Sequence, residues 1–129
     1  NAFFANTETI TPVAAATLAD SISVDLPRDG VRAVRAASQT GGQYLLVSDA
    51  EILSGIAALG KCGIFAEPAG ATAYAGLVEA VEKGVVNSDE LNLVLNTGSG
   101  LKDVRAAMLA AGEAPVIEPT IAAVKKVIK

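Results

Sequence analysis

The chain has 129 residues, a hydrophobic content of 51% and a formal net charge of -4. This length fits one domain with a core of its own, whereas the acidic balance and the lack of a basic cluster exclude nucleic acid as a partner. No apolar run reaches the roughly 18 residues of a membrane span, so the sequence predicts no membrane partner either.

The absence of histidine restricts the chemistry that the chain can perform. Cys62 is the single cysteine, and the sequence contains no histidine. Serine–histidine and cysteine–histidine catalytic pairs are therefore excluded. A zinc site is nearly excluded, because carboxylates would have to supply most of the ligands. No metal site is predicted, and a lone thiol fits a reducing, cytoplasmic location.

The first residues differ in pattern from the rest of the chain. Residues 1–17 mix polar and apolar side chains without a period, which predicts an arm or linker before a folded domain over residues 18–129. Asn1 and Ala2 resemble a scar left by tag removal. Together with the missing initiator methionine, this suggests an excised piece of a longer protein.

Short apolar runs and helical patterns alternate along the domain. Strands are predicted at SISV (21–24), QYLLVS (43–48), LNLVLN (91–96) and between the prolines at 115 and 119. Helices are predicted over 30–39, after Ser48, from Pro68, over 102–111 and after Thr120. Such alternation with short connections is typical of an α/β fold with a mostly parallel sheet and helices on both faces.

Two of these helices have clear start signals. Ser48 and Glu51 have the spacing of a capping box, in which each side chain bonds the backbone amide of the other residue. Pro68 suits a first helical position, where its missing amide costs nothing. Tyr74 and the apolar residues after it would form the buried stripe of that helix.

Two loops combine glycine with polar side chains where predicted strands end. They are FAEPAGA, residues 65–71, and NTGSG, residues 96–100. Ligands bind at the carboxyl ends of strands in open α/β sheets, and glycine-rich turns that lead into helices present free amides. TGSGLK lacks the spacing of a phosphate-binding P-loop, and Gly98 and Gly100 match only the first two glycines of the dinucleotide fingerprint. A plain strand-to-helix turn is the alternative.

These loops carry a resemblance to a known family. GIFAEPAGATAYAGL, followed by a strand and TGSGLKD, resembles the carboxyl-terminal part of the threonine synthases, pyridoxal-phosphate enzymes related to the tryptophan synthase β chain. TLADSISV and GGQYLLVSDAEIL fit as well, so the resemblance runs from about Ile10 to Asp103. Threonine and serine dehydratases share a block similar to EPAGA but close on a different turn. Val104 departs from the family pattern, in which a proline usually follows the Lys-Asp pair.

The resemblance implies a cofactor site. Thr97 would donate a hydrogen bond to the pyridine nitrogen of pyridoxal phosphate, and Gly98 would let the backbone pass close to the ring. Glu67 would brace neighbouring loops or the ring edge, with a first-turn acid favoured by the helix dipole as the alternative. For Thr97 the alternative is a capping hydroxyl without a ligand. Asn96 and Ser99 would line the same cleft.

The resemblance also implies that part of the site is missing. The Schiff-base lysine and the phosphate-binding loop of such enzymes lie in the amino-terminal portion, and neither motif occurs here. None of the lysines has the surroundings of a buried, imine-forming amine: Lys61, Lys83, Lys102, Lys125, Lys126 and Lys129. No catalytic residue is therefore predicted, and the chain alone is expected to be inactive and not to bind the cofactor. Lys102 is predicted to be solvated, and Cys62 to be at least half-buried.

The resemblance thus implies part of a lyase of threonine biosynthesis, which would convert O-phosphohomoserine and water into threonine and phosphate. Its partner would be an amino-acid substrate held with the missing amino-terminal half, and the family commonly forms homodimers. A dehydratase-like lyase and a non-catalytic α/β binding or assembly module are the alternatives. Because only part of a layered sheet is present, some apolar surface is expected to be exposed.

Overall fold

The computed structural model describes residues 1–128, which are organised mainly by helices. Lys129 and the end of the predicted last helix lie outside the described residues. The α-helices are α1 (Gly30–Thr40), α2 (Asp49–Lys61), α3 (Pro68–Glu82), α4 (Val104–Ala111) and α5 (Ile121–Val127), and two short 3-10 helices span Asp20–Ile22 and Gly100–Lys102. Within residues 1–128, no helix combines the length and the apolarity that crossing a membrane requires.

The predicted mostly parallel sheet with helices on both faces is wrong. Among the described residues, β pairing is limited to an isolated antiparallel bridge between Ala66 and Ser99. Residues 43–48, 91–96 and 115–118 have no regular secondary structure, and the predicted strand at 21–24 begins inside a 3-10 helix. A strand is stabilised by hydrogen bonds to a neighbouring strand, and no described segment supplies that neighbour. The pattern of apolar residues alone was therefore insufficient to predict that these segments form strands.

The predicted helices are confirmed, except that the helix predicted over 102–111 begins at Val104, because Lys102 belongs to the preceding 3-10 helix. Local signals set where the helices begin and end. The capping box is present: the Glu51 amide donates to Ser48 Oγ at 3.3 Å, and the Glu51 carboxylate accepts from the Ser48 amide at 2.5 Å. Pro68 occupies the first turn of α3. Gly41 ends α1 with a φ of 68°, a backbone conformation that glycine adopts without steric cost.

The core lies where α2 and α3 pack together, with α4 alongside α2. Ile52, Ile56 and Leu59 form the buried face of α2, as the helical spacing predicted. The buried face of α3 differs from the prediction, because it consists of small residues such as Ala71 and Ala75 rather than the large apolar stripe. Tyr74 is half-buried and packs against the core. Small side chains occupy the buried face of α3 because α2 and α3 approach closely.

The amino-terminal arm contacts α1 and the segment after it. The guanidinium of Arg35 donates two hydrogen bonds of 2.7 Å to the Glu8 carboxylate. The Phe3 ring meets the Tyr44 ring edge-on, with centroids 5.2 Å apart. The predicted division of the chain at residue 17 stays a prediction.

Apolar side chains of the extended segments face solvent. Leu91, Leu93 and Leu95 alternate along one segment and are all exposed, with Leu93 at 87%. The expectation of exposed apolar surface is confirmed.

Candidate functional site

The two glycine loops meet in the structure, although no sheet brings them together. The Glu67 amide donates to the Gly98 carbonyl at 3.0 Å, and the Gly100 amide donates to the Phe65 carbonyl at 2.9 Å. The bridge between Ala66 and Ser99 lies between these two bonds. We call residues 65–67 with residues 98–100 the two-loop contact. It confirms that the loops converge, which was expected at the edge of a sheet.

Glycines make the two-loop contact possible. A Cβ atom at Gly98 would overlap the Glu67 carboxylate, and one at Gly100 would overlap the Phe65 ring. A Cβ atom at Gly70, in the first turn of α3, would overlap the side-chain oxygen of Asn96. None of these three glycines has a positive φ, so close approach is the reason that they lack a side chain.

Glu67 is the buried charged residue at the centre of this contact. The residue is 4% exposed. Its Oε2 accepts a hydrogen bond from Ser21 Oγ at 3.2 Å, and its Oε1 lies 3.2 Å from Lys102 Nζ. Although Glu67 is the N-cap residue of α3, its carboxylate bonds no amide of that helix. A buried carboxylate needs such partners, because burial without them is costly.

Two members of this network were missed by the sequence analysis. Lys102 was predicted to be solvated, but its amine pairs with Glu67 although the side chain is 61% exposed. Ser21 was assigned to a strand and instead lies in the 3-10 helix Asp20–Ile22. The block TLADSISV was the available signal for Ser21, since it belongs to the resemblance. No local pattern could pair Glu67 with Lys102, which follows 35 residues later.

A small cavity adjoins the Glu67 carboxylate. Its volume is about 110 Å³. Asp20, Glu67, Lys102 and Asp103 line it. Asp103 also caps α4, because its carboxylate accepts from the Ala106 amide at 2.9 Å.

Thr97 precedes the two-loop contact and is exposed. Among the side-chain hydrogen bonds formed within residues 1–128, none uses its hydroxyl, whereas the next hydroxyl, Ser99 Oγ, accepts from the Leu101 amide at 3.3 Å. Ser99 therefore caps the 3-10 helix Gly100–Lys102. The capping role that was the alternative for Thr97 belongs to Ser99.

Other candidate groups lie away from the contact. Cys62 follows the end of α2 and is exposed, so the prediction of a buried or half-buried thiol is wrong. The thiol lies just past the last helical turn, outside the face that α2 buries. In the described part of the chain, no group of three or more metal-ligating side chains comes together.

Comparison with known proteins agrees with the motifs. Residues 1–98 match the family model described as "Pyridoxal-phosphate dependent enzyme". The chain is 37% identical over 114 residues to a threonine synthase of Methanocaldococcus jannaschii, which covers 88% of this chain and 28% of that protein. It is 40% identical over 88 residues to a threonine synthase of Bacillus sp., which covers 67% of this chain and 25% of that protein.

A third relative gives the same result. The chain is 34% identical over 113 residues to a threonine synthase of Methanosarcina acetivorans, which covers 87% of this chain and 28% of that protein. The chain therefore spans a little over a quarter of the length of these relatives. The matches confirm the predicted resemblance and the cofactor class that it implies.

Proposed function

The chain belongs to the pyridoxal-phosphate dependent enzymes, and on this premise we propose that it is part of a threonine synthase. The reaction would convert O-phosphohomoserine and water into threonine and phosphate. The observation that supports the proposal best is the two-loop contact, because it joins the EPAGA and TGSGLKD blocks that carry the resemblance. A cytoplasmic location and a homodimer stay predictions.

The residues around Thr97 fit one edge of pyridoxal phosphate. The exposed Thr97 hydroxyl has no bond within residues 1–128 and can donate one to the ring nitrogen. Bound pyridoxal phosphate would supply the electron-accepting ring that stabilises negative charge on the substrate. Thr97 would orient this ring and, being neutral, would leave its nitrogen unprotonated. Gly98 would keep the backbone beside Thr97 free of a side chain.

The anchoring lysine and the phosphate loop are proposed to lie outside this chain. Lys102 is engaged by Glu67. The remaining described lysines are exposed to solvent, unlike a buried amine that could form the imine: Lys61, Lys83, Lys125 and Lys126. The chain would thus contribute the ring-nitrogen side of the site, and the amino-acid substrate would be bound jointly with the rest of the protein.

Thr97→Val in the full-length enzyme tests this proposal. Valine keeps the shape of threonine but removes the donor, and a lost hydrogen bond of about 1 kcal/mol corresponds to roughly a fivefold weaker affinity for pyridoxal phosphate. Phosphate release from O-phosphohomoserine should fall as well. Thr97→Ser, the matched control, retains the hydroxyl and should stay close to the parent in both measurements.

Three outcomes would contradict the proposal. Unchanged cofactor affinity and spectrum in Thr97→Val would remove Thr97 from the site. Ketoacid release from threonine or serine, without turnover of O-phosphohomoserine, would indicate a dehydratase. Cofactor binding by the 129-residue chain alone, seen as visible absorbance after gel filtration, would contradict the proposal that the anchoring lysine lies outside this chain.

A further inference from the structure

Glu67 joins three segments that are far apart in sequence. It is the N-cap residue that precedes α3, its Oε2 accepts from Ser21 in the first 3-10 helix, and its Oε1 pairs with Lys102 in the second. Both carboxylate oxygens are therefore engaged by protein groups. This arrangement suits a carboxylate that holds loops in place, rather than one that contacts the cofactor ring directly.

The Glu67 side chain also lies against Gly98. The carboxylate occupies the space that a side chain at Gly98 would need, and the Glu67 amide donates to the Gly98 carbonyl at 3.0 Å. Gly98 directly follows Thr97 in the chain. The position of the Thr97 backbone thus depends on where Glu67 is held.

Lys102 is the cation that balances this buried carboxylate. Removing one partner of a buried charge pair leaves an uncompensated charge, which is strongly destabilising. The side chain of Glu67 is 5% exposed and that of Lys102 is 61% exposed. Without the amine, the carboxylate would turn towards water and leave its place against Gly98. Because water already reaches the Lys102 amine in the parent protein, the loss of stability should be smaller than for a fully buried ion pair.

We infer that Lys102, assisted by Ser21, is a positioning residue that acts through Glu67 to hold Thr97 at the cofactor ring nitrogen. The inference rests on the proposed function, since it assigns Thr97 to the cofactor. It gives Lys102 a role in the site that requires no contact between its amine and the cofactor.

The test compares Lys102→Met with Lys102→Arg in the full-length holoenzyme. Lys102→Met should weaken pyridoxal phosphate binding by up to about fivefold, the loss expected of Thr97→Val, and should shift the visible absorption maximum of the bound cofactor. Lys102→Arg retains the charge and should restore most of both properties. Lys61→Met is the matched control, because it also removes a lysine charge from an exposed position, and it should leave both properties unchanged.

A double-mutant cycle separates positioning from general stability. If Lys102 acts through Thr97, Lys102→Met should have little further effect on cofactor affinity in a Thr97→Val background. Additive effects, or a Lys102→Met enzyme with the cofactor affinity and spectrum of Lys61→Met, would overturn the inference while leaving the proposed function intact. If Thr97→Val itself leaves cofactor affinity and spectrum unchanged, the result contradicts the proposed role of Thr97, and the inference about Lys102 fails with it.

Discussion

Gly98 and Glu67 have to be considered together at the residue scale. The carboxylate lies where a Cβ atom at Gly98 would be, and it is fixed there by Ser21 and Lys102. A long side chain can often move aside for a new methyl group. Here, movement would cost the carboxylate both of its partners, so the contact resists substitution.

We expect Gly98→Ala to lower the free energy of unfolding of the full-length enzyme by about 1–3 kcal/mol, the usual cost of overpacking. The loss should be smaller in a Glu67→Ala background, where the space is free. Gly76→Ala is the control, because a Cβ atom there would meet nothing within 4 Å; it should stabilise α3 by about 0.5–1 kcal/mol. Chemical unfolding measures the parent and the four variants, and equal losses from Gly98→Ala in both backgrounds would contradict the overlap.

Residues with local signals were predictable, and residues with distant partners were not. Ser48 and Glu51 are three positions apart, and Pro68 needs no partner, so the sequence sufficed for both. The pairing of Glu67 with Lys102 spans 35 positions. Because no periodicity connects residues so far apart, only the fold could reveal it.

At the element scale, the contact between α2 and α3 depends on small residues. Gly55 of α2 is buried, and a Cβ atom there would lie 3.3 Å from the Ala71 carbonyl oxygen and 3.5 Å from the Tyr74 ring. Such a contact is tight, and the Ala71 carbonyl would have to move by a few tenths of an ångström to admit a methyl group. The close approach also explains why alanines, rather than larger residues, line the buried face of α3.

Gly55→Ala should therefore destabilise the protein relative to Gly60→Ala. Both substitutions gain the helix propensity of alanine, but only the first introduces a crowded methyl group, because Gly60 has nothing within 4 Å of its Cβ position. We expect a difference of about 1–2 kcal/mol in the free energy of unfolding. Equal midpoints in a urea titration would show that α2 and α3 are less tightly packed than the structure indicates.

The stabilisation that Glu51 gives to the start of α2 should depend on pH. Hydrogen bonds from the Ser48 side chain, and then from its backbone, lower the pKa of Glu51 from its usual value of 4.5. Since the folded-state pKa is depressed, the stabilisation is present above pH 4.5 and is lost as pH falls through the lower, folded-state value. Glu51→Ala should thus be less stable than the parent at pH 7, and the difference should shrink below pH 4.5. A difference that does not depend on pH would contradict the role of the ionised carboxylate.

Helices were predictable from sequence, whereas the sheet was not. A helix satisfies its backbone within itself, so the spacing of Ile52, Ile56 and Leu59 was enough to predict α2. A strand needs a neighbour, and the apolar alternation of residues 91–95 contains no information about whether one is present. The error in fold class arose at this step.

At the scale of the whole molecule, the extended segments leave apolar side chains in water. Leu91, Leu93 and Leu95 stand out along a segment that exchanges no backbone hydrogen bonds with other described residues. Contiguous apolar exposure favours association, and unpaired backbone groups add to that tendency.

The 129-residue chain should therefore associate with itself at micromolar concentration. Leu93→Lys, at a position that is 87% exposed, should reduce this association. Ser88→Lys introduces the same charge at an exposed polar position nearby and should have much less effect. Sedimentation velocity measures the three chains, and a parent chain that sediments as a monomer would contradict the prediction.

The two-loop contact also constrains how relatives could be recombined. Each of three glycines faces a side chain of the opposite loop: Gly70 with Asn96, Gly98 with Glu67, and Gly100 with Phe65. A crossover between residues 71 and 96 would take the two loops from different parents and separate all three pairs. Chimeras that exchange residues 65–100 as one block should therefore fold more often than chimeras divided within it.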